Sequence, residues 1–490
     1  MTFEQFLTLL YEIIAGIFKF IWWILTGIYK LITNYEEPLK LNEEYNAGLA
    51  EEKEILHPKG LGFNLTGTKK LSCQQSFTHV MLSAQTGLGK TSTVLLPSLY
   101  SMADGNSSFI INDSQHENFL KGSGYLDYKG VEIKPVNFAD ETVSEGWNML
   151  SHANTLSEIK KISSLLHRAT MAKEGGNGDF WITQSENLTT LAISYVKTLP
   201  LAQQNMSTVK KFIDTMLASP DTADRLIAGC YDPTGKIKTE YKAYLNYEPK
   251  VLTNILSTTR SVLGIFDDPN VVAVTSYNTL DFSELRTKRQ AIFLLNRAMD
   301  MEYYKPLISI FIEQLFAYIL SRIPGEEENN IFFLMDELGS IPLPGLPTFL
   351  AQARKTRTGF LGVLQDEHQL RTHYQESDYQ AIKTNFGTKM YMANQPLNVC
   401  KEISELMGKR ELVKENDDGR TEKTIRSLMT PDEVRFMPAD TALIFSGTNR
   451  AIYTRLTPFY KQKDLLRYSQ MPPVKLVSKL PSTGLQHTTL

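Results

Sequence analysis

Ala84-Gln-Thr-Gly-Leu-Gly-Lys-Thr-Ser92 follows directly on the apolar run His79 to Leu82 and leads into the helix-like Ser92 to Tyr100. A strand that feeds a glycine-containing turn opening a helix points successive backbone N–H groups at one spot, and the helix dipole adds a field that favours an anion there. The stretch reads as a phosphate-binding loop made by Thr86, Gly87, Leu88, Gly89, Lys90, Thr91 and Ser92. Lys90 is placed to reach the β and γ phosphates of ATP and Thr91 to give its hydroxyl to Mg²⁺. Gly87 and Gly89 keep side chains out of the space a phosphate must occupy. Ala84 stands where glycine is commonest and is small enough to keep the turn.

A loop of this kind needs a metal-binding acid at the end of another buried strand. Ile331-Phe-Phe-Leu-Met-Asp-Glu337 supplies one: an apolar run without polar alternation, as in a strand buried on both faces, that ends in two carboxylates. Asp336 is the expected Mg²⁺ ligand, through water, and Glu337 the base that polarises the attacking water. Thr358-Gly-Phe-Leu-Gly-Val-Leu-Gln365 is a third such run. Its polar end makes Gln365 a candidate γ-phosphate sensor, with a plain solvated strand end as the competing reading. Between these strands a helix is expected over Leu346 to Arg354. Arg354 is a candidate arginine finger, which in a ring would face a neighbour's nucleotide; a surface arginine near a helix end is the alternative.

At 490 residues with 42% hydrophobic side chains, the chain is a folded globular protein with room for two domains. Three dispersed cysteines, Cys73, Cys230 and Cys400, exclude a disulfide framework or a zinc site. A formal net charge of -3 excludes global attraction to nucleic acid, so any DNA-binding surface must be local.

Phe6 to Ile32 is overwhelmingly apolar, carries Trp22 and Trp23, and is long enough to cross a hydrocarbon core of about 30 Å. Without a small-residue cleavage site it reads as an uncleaved anchor. Glu12, Lys19, Thr26 and Lys30 fall on one stripe of that helix. The stripe would face a partner or a wet lumen in a spanning helix, or water in a helix lying flat at the interface. Lys30 and Lys40 near its C-terminal end put the main domain in the cytoplasm.

Strand-like segments recur at Ser108 to Asn112, Val131 to Phe138, Gln290 to Leu295, Lys389 to Met392 and Ala442 to Phe445, alternating with helical patterns. Alternation of this kind gives a mainly parallel α/β sheet covered on both faces. From Ser151 to Val274 the pattern is helical, with Leu156 to His167, Gln184 to Thr198 and Val209 to Leu217 around a glycine-rich break at Gly175, Gly176 and Gly178. The expected organisation is an anchor at 1–35, a linker and domain entry at 36–76, and a nucleotide-binding domain at 77–150 and 276–460. An all-helical insert occupies 151–275 and a flexible tail 461–490. The charged stretch Lys409 to Lys423 reads as a solvated hairpin.

From Phe77 to Tyr460 the chain resembles the type IV coupling proteins of conjugative DNA transfer. The resemblance is carried by the loop followed by Val94-Leu-Leu-Pro-Ser-Leu99, by Phe109-Ile-Ile-Asn-Asp113 with Glu117, and by Trp147-Asn-Met-Leu150. Phe180-Trp181, Asp336-Glu337, Arg354, and Gln365 with Gln369 before Tyr374 continue it in order. It implies a RecA-like P-loop NTPase with an N-terminal membrane helix, assembled as a homo-hexamer in which Arg354 acts across a subunit boundary. ATP and Mg²⁺ are the implied cofactors. Single-stranded DNA, a relaxase or relaxosome protein, the secretion channel and the membrane are the implied partners. Two departures stand out. Gln115 and His116 replace the usual Lys-Gly pair after Asp113, and at most one membrane helix is present where many members have two. A coupling ATPase for protein effectors and another hexameric DNA translocase are the competing readings.

Overall fold

The computed structural model describes residues 15–17, 19–22, 25, 45–170, 177–297, 299–415 and 421–480. They fall in two compact units. The smaller draws on residues 1–47 and 408–428. It holds an antiparallel ribbon of β8 (Lys409–Glu415) and β9 (Thr421–Ser427), with Asn46 bridging to Arg410. The expected hairpin at Lys409 to Lys423 lies in this ribbon.

The larger unit, 48–407 and 429–490, is built on a nine-stranded sheet. In chain order its strands are β1 (Val80–Ser83), β2 (Ser107–Asn112), β3 (Glu132–Val136), β4 (Gln290–Leu294), β5 (Asn330–Met335), β6 (Thr358–Leu364) and β7 (Thr388–Met392). β10 (Thr441–Ser446) and β11 (Ile452–Arg455) complete it. The spatial order is β11-β10-β7-β1-β6-β5-β2-β4-β3. The seven strands from β7 to β3 are parallel, and β10 and β11 add an antiparallel edge. β1, β2, β4 and β6 are buried along their whole length, which is why they read as continuous apolar runs instead of alternating ones. β11 alternates buried and exposed residues and is too short to stand out, so it escaped the sequence reading.

One face of the sheet packs on the helix that follows the phosphate loop. Leu96 and Leu99 join Phe109, Ile111, Phe332, Leu334, Leu361 and Val363 in one core cluster. The other face is covered by the Met301–Leu320 helix, whose Phe316 stacks on Phe349 at 3.8 Å and meets Phe333 and Phe360 at a tilt. Between β3 and β4 the described residues hold helices and turns but no strand, from Leu156–Thr170 through Asn177–Val196, Met206–Ala218 and Pro249–Val262 to Pro269–Ser276. Residues 171–176, at the glycine-rich break, lie outside the described residues.

The sequence differs from the structure in two places. The linker and domain entry at 36–76 is core from Ile55 onward: Phe63 packs edge-on against Phe332 at 5.4 Å. The tail at 461–490 was expected to be flexible, yet residues up to Leu480 pack on the larger unit. Tyr468, on the Lys463–Ser469 helix, stacks on Tyr125 at 4.1 Å. Beyond it the chain runs extended, where Val474 N donates to Ser123 Oγ and Ser478 N to the Thr142 carbonyl. Lys479 pairs with the buried Glu145. Pro472 and Pro473 fall in this extended strap, where fixed φ suits the conformation. The expected membrane helix over Phe6 to Ile32 lies almost wholly outside the described residues. Among those described, no helix is long and apolar enough to cross a membrane.

Candidate nucleotide site

The phosphate loop leaves β1 where Ala84 N donates to the Leu364 carbonyl of β6. Gly87 and Gly89 take φ of +86° and +79°, a region that L side chains rarely enter. A Cβ on Gly87 would meet nothing within 4 Å, so the backbone angle, not crowding, demands glycine there. After Lys90 the chain opens into a π-turn, Thr91–Leu95, continued by the Leu96–Met102 helix. The loop's base is gripped from β7. Gln395 donates to the Ser83 carbonyl at 3.0 Å and accepts from Ser83 Oγ at 2.9 Å, and Asn394 donates to Gln85 at 2.5 Å. Sequence reasoning missed this pair, although two amides directly behind a buried strand were a legible signal.

Because β1, β2, β5 and β6 run parallel and adjacent, their last residues gather at one edge of the sheet. Lys90 lies close enough to Asp336 for its ammonium to act on the carboxyl. Burial nonetheless raises the Asp336 pKa to about 6, against the pull of Lys90 and with help from Glu337, Asp113 and Glu117. Asp113 is also buried and is raised to about 6 by burial, although it accepts hydrogen bonds from Phe119 N at 2.7 Å and Asn118 N at 3.3 Å. Two buried carboxyls whose pKa values are raised, one of them acted on by Lys90, form a basin that a divalent cation would settle, since a cation favours the ionised forms. Among the described residues, no group of three or more His, Cys, Asp or Glu side chains forms a metal site. One hydroxyl at Thr91 and one carboxylate at Asp336 instead fit Mg²⁺, an ion that keeps waters and phosphate oxygens as its other ligands.

Glu337 sits in the left-handed region at φ 59° and ψ 50°. Gln365 Nε2 donates to its Oε1 at 2.8 Å, so the expected base and sensor are in contact. Ser340 donates to the Glu337 carbonyl through N at 3.0 Å and Oγ at 2.8 Å, closing the turn. Gln369 packs where a Cβ on Gly339 would lie within 2.7 Å of its own Cβ. Tyr374 bonds both the carbonyl and the N–H of Leu343. Both therefore serve packing around the site and not its chemistry.

Arg354 is not brought to this edge. It lies in the 3₁₀ turn Ala353–Thr356 before β6, so the seven residues of that strand separate it from Gln365 by roughly 20 Å. Its surroundings are rigid. Arg286, 3% exposed, donates to the carbonyls of Asn329 at 2.8 Å and Thr356 at 2.6 Å, and burial lowers its pKa to about 10. Arg357, at φ 51°, donates to the carbonyls of Gly325, Glu326 and Glu328 and to Asn330 Oδ1. His79 Nε2 holds the Leu350 carbonyl of the preceding helix at 3.0 Å. Arg354 alone of these groups is exposed, with no hydrogen-bond or ion-pair partner among the described residues.

Known proteins resemble this chain in sequence and in fold. A family model described as type IV secretory system conjugative DNA transfer matches residues 40–483. The protein VirD4 of Rhizobium radiobacter is 24% identical over 232 residues, 44% of this chain and 34% of that protein. VirD4 of Agrobacterium fabrum (strain C58) is 23% identical over 232 residues, 35% of its length. The chain thus spans about a third of the length of these curated relatives. Among solved structures, the bacterial conjugative coupling protein TrwBdeltaN70 in an unbound form superposes with a TM-score of 0.67 at 15% identity, covering 91% of this chain and 97% of that one. TrwB in complex with ADP and Mg²⁺ gives a TM-score of 0.66 at 16% identity, with 91% and 97% covered. The α/β fold, a mostly parallel RecA-type sheet with helices, is the fold of TrwB.

Proposed function

Because the chain belongs to the type IV secretory system conjugative DNA transfer family, we propose that it is a P-loop ATPase. It passes single-stranded DNA, presented by a relaxase, into a type IV secretion channel. The observation that carries this reading is a nucleotide edge complete except for one cation, together with an unpartnered arginine on a rigid turn at the far edge. TrwB, which shares the fold, has been solved with ADP and Mg²⁺ and with a non-hydrolysable ATP analogue, which supports the same cofactors here.

In this reading the N–H groups of Thr86 to Ser92 and the Lys90 ammonium hold the phosphates. Thr91 and Asp336 hold the metal. Bound MgATP supplies the transferable phosphoryl group and the cation that offsets its charge. Glu337, oriented by Gln365, accepts the proton of the attacking water. Arg354 from a neighbouring copy stabilises charge on the transferring group, so six copies close a ring in which each interface completes one site. The helical insert at 151–275, part of the larger unit, lies on the cytoplasmic side, and residues 1–35 anchor the ring in the inner membrane. DNA would be gripped through its backbone by loops of the channel, without base readout, which suits a chain of net charge -3 whose positive surface is local.

The test is the ATPase rate of the purified protein with and without single-stranded DNA, beside Glu337→Gln. DNA stimulation that disappears in the variant is the expected result. Hydrolysis indifferent to DNA would transfer the reading to a protein cargo.

A further inference from the structure

Glu337 is a bulky residue in a left-handed conformation at the end of β5, a backbone state that persists only where its surroundings over-determine it. Three of the contacts that do so have been described: Gln365 on its carboxylate, and the two Ser340 bonds on its carbonyl. The fourth comes from β2. Asn112, the last residue of that strand, pairs with Met335 in the parallel register, and its Nδ2 reaches one residue further to donate to the Asp336 carbonyl at 2.8 Å. That carbonyl belongs to the peptide group joining the expected metal ligand to the expected base. Its orientation therefore sets the direction in which Glu337 leaves the strand.

Nothing in the fold requires an amide at this position. β2 is buried at every residue, and Ile110 and Ile111 precede Asn112. Asn112 is fully buried, and its Oδ1 finds no partner among the described residues. A valine or isoleucine would occupy the strand without leaving a polar atom unpaired. Alternation along β2 also separates Asn112 from Phe109 and Ile111, which lie in the cluster under the phosphate-loop helix. Asn112 thus touches the acid pair from the opposite face of the sheet, away from the loop. A buried amide that costs stability and makes one bond, to the peptide before a strained acid, is there for that bond.

We infer that Asn112 is a positioning residue, which holds the Asp336–Glu337 peptide so that Glu337 stays in its left-handed turn with its carboxylate against Gln365. The inference rests on the ATPase reading only for its kinetic consequence. Asn112→Asp keeps the shape and removes the donor, and Asn112→Val removes the polarity. Both are made in the full chain and assayed at pH 8. Turnover should fall about tenfold or more in each, while ATP affinity in Mg²⁺ changes less than about twofold and the melting temperature of Asn112→Val does not fall. Turnover within about twofold of the parent in either variant overturns the inference. So does a loss of turnover matched by an equal loss of affinity, because that is the mark of general damage. If the parent protein hydrolyses no ATP with or without DNA, the ATPase reading fails by itself. Amide exchange at Ser340, whose N–H closes the Glu337 turn, then decides the positioning: about tenfold faster exchange in Asn112→Val supports it, and an unchanged rate overturns it.

Discussion

The two edges of the parallel sheet treat charge in opposite ways. At the carboxyl-terminal edge Lys90, Asp113, Asp336, Glu337 and Gln365 crowd together, carboxyls are pushed toward neutrality by burial, and polar atoms such as Asn112 Oδ1 and Ser114 Oγ stay unpaired. At the amino-terminal edge Arg286 and Arg357 place their donors on backbone carbonyls, and His79 ties the neighbouring helix to the start of β1. The first edge is unsettled until a ligand arrives. At the second the guanidinium groups of Arg286 and Arg357 are already held by carbonyls, while Arg354 stays exposed without an ion-pair partner among the described residues. In the reading proposed above, a chain that separates its phosphate loop from Arg354 by the length of a strand supplies half of each of two sites, completed when copies meet edge to edge.

The sharpest way to break that comparison is to remove the spare cation. Arg354→Ala is expected to lower ATP turnover by roughly 10³-fold, the scale of an arginine finger, without changing the melting temperature, because the side chain is exposed and has no hydrogen-bond or ion-pair partner among the described residues. Lys90→Ala should cost about 10²- to 10³-fold and weaken nucleotide binding as well. Mixing the two inactive proteins separates the possibilities. Recovered turnover means that the intact Arg354 of one copy serves the intact loop of another, and no recovery at any ratio would place both groups in one chain's site.

Smaller in effect, and aimed at the platform alone, is Arg286→Leu. It should leave the Asn329 carbonyl unpaired in a buried corner and the Thr356 carbonyl with only the Thr358 hydroxyl, and destabilise the fold by about 1–3 kcal/mol, read as a lowered midpoint in urea. In the mixing experiment this variant should fail as the donor of Arg354 yet still serve as the acceptor of a neighbour's. Equal failure in both roles would mean that the two edges are mechanically one.

How much of this was legible in the sequence follows the same division. β1, β5 and β6 were readable because strands buried on both faces must be continuous apolar runs, and the loop and the acid pair follow them immediately. The amino-terminal edge was not. Arg286 and Arg357 look like any surface arginines until the carbonyls they reach are known, and those come from segments up to 70 residues away. Positive φ at Glu337 leaves no trace in a run of apolar and acidic letters, since glycine is absent there. The strap at 471–480 was misread because its order comes from Ser123, Thr142 and Glu145 in distant segments and not from any pattern of its own.

The smallest predicted effect concerns pH and bears on the crowded edge only. Asp336 and Asp113 have folded pKa values near 6, raised above the unfolded value near 3.8. The folded protein therefore holds protons that the unfolded chain has released, so stability is highest below the unfolded value and declines as pH rises from about 4 to 6. Above that window the penalty is constant, on the order of 2–3 kcal/mol for each carboxyl, and a cation at the site removes part of it. Metal-dependent nucleotide binding must run the other way. It needs Asp336 ionised, so affinity for MgADP should fall about tenfold between pH 7 and pH 5, while the nucleotide-free protein grows more stable over the same interval. Titration calorimetry and thermal melts on one preparation check both signs together. If affinity and stability moved in the same direction, the carboxyls would already be satisfied without a cation, and the contrast between the two edges would not hold.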